Sequence, residues 1–295
     1  IAKSLRTNKT NTIGVIVEDM TVFNSPQIID GINKYVENQG MHIVLSNLRL
    51  NKKIGNQYNR VKKYSEEIKE TIDVLLTRQI DGIIYIGEHP RDVNSIISDV
   101  GKPLVYSYCY NSKKESYSVN YNDKKAAYQA VEFLINSGHK KIAVISGMTN
   151  SRSSLKRLEG YKKALQDNGL SSDSELIKNG DWEYESGCRL GREIMQKKER
   201  PTALFAFNDL MAAGAIDGAE SLGFKVPEDL SVMGFDNREF SRFSKPALTT
   251  MDLPLTEMGE KAAEILIKLI NEEKIEFKDI SLECDLIKRD SVKNI

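Results

Sequence analysis

Along this chain short apolar runs alternate with stretches whose apolar residues return every three to four positions, the pattern of strands separated by amphipathic helices. Ile13 to Val17, His42 to Ser46, Gly82 to Gly87 and Pro103 to Tyr108 are the first strand-like runs. Between the first two, Ile28, Ile29, Ile32, Tyr35 and Val36 share one helical face, and Gly40 ends the helix. The alternation resumes at Ile142 to Ser146 and continues through Leu176 to Asn179, Ala203 to Phe207 and Leu230 to Phe235. Asp123 to Asn136 and Leu255 to Asn271 read as further helices, and Ile280 to Ile287 as a last strand. Repeated strand, helix, strand units predict parallel sheets. So many strands divide better between two sheets than they fit in one, so the expected class is α/β with two doubly wound parallel-sheet lobes.

Residues 201–237 indicate where such a fold would bind a ligand. Ala203 to Phe207 ends in Asn208 and Asp209, which offer an N-cap to the helix that Leu210, Ala213, Ala215 and Ala219 begin and Gly223 closes. Leu230 to Phe235 ends in Asp236 and Asn237. Ligands of an open parallel sheet bind beyond the carboxyl ends of its strands, so Asn208, Asp209 and Asp236 are candidate contacts. Capping accounts for Asp209; nothing directly after Asp236 reads as a helix needing a cap, which favours a ligand role there.

Composition narrows the class. A chain of 295 residues, 40% of them hydrophobic, is long enough for two domains. Lysine plus arginine equal aspartate plus glutamate at 42 each, so the chain has no general attraction to nucleic acid or anionic membrane. Cys109, Cys188 and Cys284 are odd in number and lack metal-type spacing, as expected of reduced, buried thiols in a cytoplasmic protein. No apolar run is long enough to span a membrane and no cleavable leader is visible, although the chain opens on Ile1 rather than Met, as a fragment or processed product does. There is no Walker-type phosphate loop, no dinucleotide fingerprint and no serine, histidine and acid motif. His42, His89 and His139 are scattered, and His139 before a strand suggests a structural hydrogen bond. Neither catalysis, a cofactor nor a metal is expected.

Six segments occur in order over nearly the whole chain: RTNKTNTIGVIVED at the start, QIDGIIYIG at 79–87, SGHKKIAVISG at 137–147, RLEGYKKAL at 157–165, the 201–237 unit, and ALTTMDLPLTEMGEKA at 247–262. Together they resemble the lactose-repressor and galactose-repressor (LacI/GalR) family of bacterial transcription regulators. The resemblance implies a type I periplasmic-binding-protein-like effector core, its two lobes joined by three crossovers and closing on a small molecule. It assigns 1–10 to a hinge remnant, 11–136 with 254–278 to the first lobe, and 137–253 with 279–295 to the second. Family members begin with a helix-turn-helix headpiece of roughly fifty to sixty residues and a hinge helix that enters the minor groove. Ile1 to Leu5 resembles the tail of that hinge, and Lys3, Arg6 and Lys9 its basic remainder. The partners implied are a small-molecule effector, a second copy in a homodimer, and operator DNA through an N-terminal headpiece absent from this sequence; no membrane is implied. Effector binding would change the angle between lobes and, through the dimer, the spacing of the hinge helices.

The resemblance also places the site. Asp19 follows the first strand, where a carboxylate accepts hydrogen bonds from neighbouring hydroxyls. The family's Ser-Asn-Pro-Phe-Phe stretch is replaced here by Thr21, Val22, Phe23, Asn24 and Ser25, leaving Phe23 and Ser25 as weaker candidate contacts. Arg157 opens RLEGY with a planar fork suited to adjacent hydroxyls or a carboxylate, and Ser153 lies on the same wall. Asn122 stands where the family commonly has Asp. Trp182, the sole tryptophan, is either core or a platform for a sugar face or a purine. Two acids, one arginine and a stacking ring suit a neutral polyol better than a bis-phosphate, so the expected effector is a mono- or disaccharide. The alternative is the sugar-binding protein of an ABC transporter, which shares the fold and would need an export signal. Between Asn47 and Asp81 the chain exceeds the family pattern by roughly a dozen residues, about three turns of helix. The stripe Tyr58, Val61, Tyr64, Ile68, Ile72, Leu75, Leu76 and Ile80 predicts that the extension prolongs the second helix as a solvated overhang.

Overall fold

The computed structural model describes residues 10–55, 57–97, 100–113 and 116–295. The chain divides into two compact units, 1–121 with 254–282 and 122–253 with 283–295, so it passes from one to the other three times. In chain order the first unit contains β1 (Thr12–Val17), α1 (Ser25–Asn38), β2 (His42–Asn47), α2 (Leu50–Ile54), a 3-10 segment (Tyr58–Tyr64), α3 (Ser65–Thr77), β3 (Gly82–Ile86), β4 (Leu104–Ser107) and β5 (Tyr117–Tyr121). The second follows with α4 (Asp123–Asn136), β6 (Ile142–Ser146), α5 (Arg152–Asp167), β7 (Ile177–Asn179), α6 (Tyr184–Met195), β8 (Ala203–Ala206), α7 (Asp209–Glu220), β9 (Ser231–Met233) and β10 (Thr250–Asp252). The chain then returns to the first unit for α8 (Leu255–Ile270) and β11 (Asp279–Leu282), and to the second for β12 (Asp285–Ile287).

The first unit's sheet runs β2-β1-β3-β4-β5-β11, every pairing parallel. Its central strands are continuous apolar runs because helices cover both faces: Ile13 to Val17 and Gly82 to Ile86 are buried throughout. The second unit's sheet runs β7-β6-β8-β9, also parallel, beside an antiparallel ribbon of β10 and β12. In each unit the first strand has its successor on one side and a later strand on the other. That reversal opens a crevice at the carboxyl ends, between β1 and β3 in the first unit and between β6 and β8 in the second. Helices α6 and α7 pack almost backbone to backbone: a Cβ on Gly214 would lie 2.1 Å from the Tyr184 carbonyl oxygen.

Three expectations from the sequence need correction. Asp123–Asn136 packs on α5 in the second unit, not in the first lobe, because the chain crosses directly after β5. The run 280–287 is two strands: β11 extends the first sheet beside β5, and after the third crossing β12 pairs with β10. The 58–80 stripe is not one helix either. α3 begins at Ser65, and the residues before it form α2 and the 3-10 segment. Leu50, Ile54 and Val61 of that stretch are buried in the core with Ile68, Ile72 and Leu75, so it is not a solvated overhang. The hinge expectation for 1–10 lies outside the described residues except at Thr10, whose amide donates to Asp81 Oδ1 at 3.0 Å. Among the described residues no helix is long and apolar enough to cross a membrane, and no group of three or more His, Cys, Asp or Glu could hold a metal ion.

Candidate functional site

In the second unit the strand-end residues gather around Arg157. Ser151 caps α5 by accepting the Ser154 amide at 3.4 Å, and the helix sets Ser153 and Arg157, four positions apart, on one buried face. Arg157 Nε donates to Asp123 Oδ1 at 2.8 Å, and its Nη1 donates to the Phe207 carbonyl and lies 3.8 Å from Asp236 Oδ1. Its guanidinium carbon stands 3.6 Å from the Phe235 ring centroid and 5.7 Å from that of Trp182. Asp123 at the start of α4, Phe207 after β8 and Phe235 after β9 thus fix one cation from three directions.

Two acids beside it are strongly perturbed. Asp236 sits at φ 110°, its backbone N–H donating a hydrogen bond to the Met251 carbonyl at 2.9 Å. Burial pushes its carboxyl up to about 7, against the downward pull of Arg157 and Arg238. Asp209 is fully buried, accepting the Thr250 hydroxyl at 2.6 Å and the Arg238 amide at 2.7 Å. Burial first, and the charge of Asp236 second, push it up to about 8. Trp182, at φ 77°, lays its indole on Gly147, where any Cβ would lie 2.0 Å from Cζ2. Its Nε1 and the Ser153 hydroxyl are buried without hydrogen-bond partners.

In the first unit the ends of β1 and β3 carry a separate cluster. Glu18 is buried, and its carboxylate receives both terminal nitrogens of Arg91 at 2.5 and 2.8 Å, the Tyr85 hydroxyl at 2.7 Å and the Glu88 amide at 2.8 Å. Asp19, fully buried, accepts the Thr21 amide at 2.9 Å and hydroxyl at 2.7 Å on Oδ1, while Oδ2 has no hydrogen-bond partner. Burial works to raise the Asp19 carboxyl, but Thr21 and the nearby Lys52 outweigh it and hold it below its ordinary value. Glu88 accepts a short hydrogen bond from Asn51 Nδ2, and burial nevertheless lifts its carboxyl to about 7.

Residues 131–292 match the family model for a periplasmic binding protein-like domain. The HTH-type transcriptional repressor PurR of Vibrio atlanticus is 30% identical over 299 residues, covering all of this chain and 85% of the relative. The chain belongs to the LacI/GalR family. Solved LacI structures agree: a transcriptional regulator from Rhizobium etli superposes with a TM-score of 0.84 at 26% identity, over 97% of this chain and 100% of that one. A sugar-binding transcriptional regulator of the LacI family from Escherichia coli, solved with phosphate, gives 0.76 at 28% identity, over 97% and 100%. These relatives set the chain among transcription regulators rather than transporter binding proteins.

Within this LacI/GalR core the second unit brings together Ser153, Arg157, Trp182, Asn208 and Asp236, and the first holds Asp19, Phe23 and Ser25 near one strand end. Some of these side chains are occupied. Asn208, not Asp209, caps α7, its Oδ1 accepting the Met211 amide at 2.8 Å while its Nδ2 donates to the Trp182 carbonyl at 2.8 Å, so it props the tryptophan. Asn122 likewise caps α4 by accepting the Lys125 amide at 3.0 Å. Ser25 donates to the Asp19 carbonyl at 2.8 Å, and Phe23 is half-buried. Sequence reasoning missed Asp123, the counter-ion of Arg157, and gave Asp209 a capping role it does not have. It also missed Glu18, Arg91 and Glu88; a second acid beside Asp19 was the one available signal, because the partners lie some seventy positions away. His139 is structural: its ring nitrogens meet Thr202 Oγ1 at 3.0 Å and the Lys293 carbonyl at 3.1 Å.

Proposed function

We propose that this chain is the effector-sensing core of a DNA-binding repressor, that its effector is a mono- or disaccharide, and that the Arg157 cluster contacts it. The observation that carries this reading is a guanidinium fixed by Asp123, Phe207 and Phe235 beside the carboxyl of Asp236, with two unpartnered buried groups, Trp182 Nε1 and Ser153 Oγ, in the same cluster. Buried polar atoms without partners are costly, and a ligand with several hydroxyls can donate to Asp236 and accept from Trp182 and Arg157 at once. The indole adds a flat apolar face for a sugar ring. The E. coli structural relative is a sugar-binding regulator, which supports the same class. The protein acts as a homodimer and reaches operator DNA through an N-terminal headpiece.

Calorimetry against a sugar panel and a nucleobase panel tests the effector class. Binding of at least one sugar, lost in Arg157→Met, is expected; tight nucleobase binding with no sugar response overturns it. Because Trp182 is the sole tryptophan, its fluorescence reports occupancy directly.

A further inference from the structure

The segment that departs from the family pattern is folded onto the first unit's strand ends. Leu50 donates its amide to the Glu18 carbonyl at 2.7 Å, which ties α2 to the end of β1. Leu50, Ile54 and Val61 are buried with Val93, Ile96 and Ile97, which fixes the segment from beneath. Helix α2 meets two acids: Asn51 donates to Glu88 Oε1, and Lys52 helps hold Asp19 ionised, through its backbone amide first and its charge second. We propose that residues 48–55 are a specificity element of the effector site, in which Asp19, Glu88 and the amide oxygen of Asn51 receive the donor groups of the effector, on the reading above sugar hydroxyls, while Lys52 adds positive charge beside them.

Two buried atoms at this place lack what a ligand would supply. Asp19 Oδ2 and Asn24 Oδ1 are acceptors with no donor, while Asn24 Nδ2 already serves the Gly87 carbonyl at 3.3 Å. The neighbouring charge is committed elsewhere, since Arg91 spends both terminal nitrogens on Glu18. Around Glu88 stand Glu18, Arg91, Asp19, Asn51 and, at 3.8 Å, His89 Nε2, so an incoming hydroxyl finds acceptors in excess of donors. The chemistry selected is a neutral, donor-rich end of a ligand. This rests on the proposal that the chain is an effector sensor.

The test is calorimetry of the whole chain against neutral mono- and disaccharides and nucleobases, with Asn51→Ala, Glu88→Gln and Lys52→Met compared with the exposed control Lys63→Ala. Thermal unfolding certifies that each variant is folded. Asn51→Ala and Glu88→Gln are expected to weaken the best wild-type ligand at least tenfold, Lys52→Met to change the ranking within the sugar panel, and Lys63→Ala to do neither. If Asn51→Ala and Glu88→Gln bind as wild type does, the specificity role is overturned and the sugar reading stands. If the best ligand is a nucleobase and the same variants weaken it, the segment's role stands and the sugar reading fails. Binding of no panel member by the wild type overturns both.

Discussion

Replacing Asp123 by alanine removes the counter-ion of a guanidinium that is 3% exposed, from a partner that is itself 5% exposed. A buried charge stripped of its partner costs about 3–5 kcal/mol. The lower end applies here, because Arg157 keeps the Phe207 carbonyl, the Phe235 ring and, at 3.8 Å, the carboxyl of Asp236. A loss of about 3 kcal/mol lowers the midpoint of thermal unfolding by roughly 6–12 °C for a chain of this size class. Asp123→Asn retains an acceptor for Nε and should cost about half as much, since only the charge is lost. Arg157→Met alone strands Asp123 in the same way. The double variant Asp123→Ala, Arg157→Met removes both charges, and Asp236, left with only the smaller pull of Arg238 against its burial, takes up a proton. It should therefore recover to within about 1 kcal/mol of wild type, a coupling of at least 2 kcal/mol. Calorimetric unfolding of the four proteins measures the cycle, and effector titration follows in parallel. The double variant should be stable and unresponsive to effector. Additive losses, or an Asp123→Ala cost under about 1 kcal/mol, would refute the claim that charge compensation holds Arg157 in place.

Four further outcomes are expected. Burial raises Asp209 to about 8 and Asp236 to about 7, so the folded state binds protons that the unfolded state releases; their contribution is full below about pH 4 and is lost as pH rises through 7 and 8. The unfolding free energy should fall across that window, by up to about 1.4 kcal/mol per pH unit for each group, and Asp209→Asn should flatten the fall; a flat wild-type profile contradicts the burial argument. Gly147→Ala puts a Cβ into the indole of Trp182, so the emission of the sole tryptophan should shift and stability drop by about 1–3 kcal/mol, whereas unchanged emission would show that the ring is not seated there. Ile54→Ala should cost about 2–4 kcal/mol in denaturant unfolding, since the side chain is 5% exposed within the core; a neutral result would return residues 48–64 to the surface. Asn208→Ala removes both the cap of α7 and the bond to the Trp182 carbonyl, so a loss of about 1–2 kcal/mol should come with altered tryptophan emission, and a loss of stability alone would separate the cap from the prop.

How much of the site was legible depends on the range over which each residue acts. The positions of Asp19, Asp236 and Asn208 at strand ends were legible because strand ends are marked by a change from apolar run to polar residue. Arg157 stood out as a candidate through its motif. Asp123 is adjacent to the candidate Asn122, yet its role depends on a helix thirty-four positions later, and no local pattern carries that. The 48–64 segment misled for a related reason: its lysines suggest a solvated surface, but Leu50, Ile54 and Val61 are spaced to reach a core that only the folded sheet supplies.

The sequence by itself determined the alternation of strands and helices, the parallel sheets and the family, because buried strands require apolar runs and helices require their own period regardless of what they pack against. The tertiary structure decided where the chain changes units, and so moved Asp123–Asn136 and Asp279–Leu282 across the expected boundary. It also decided which acids are neutralised and which are left with an open acceptor. Both outcomes arise from contacts between residues far apart in the chain, whose energies depend on burial, and burial is a property of the assembled fold and not of any segment.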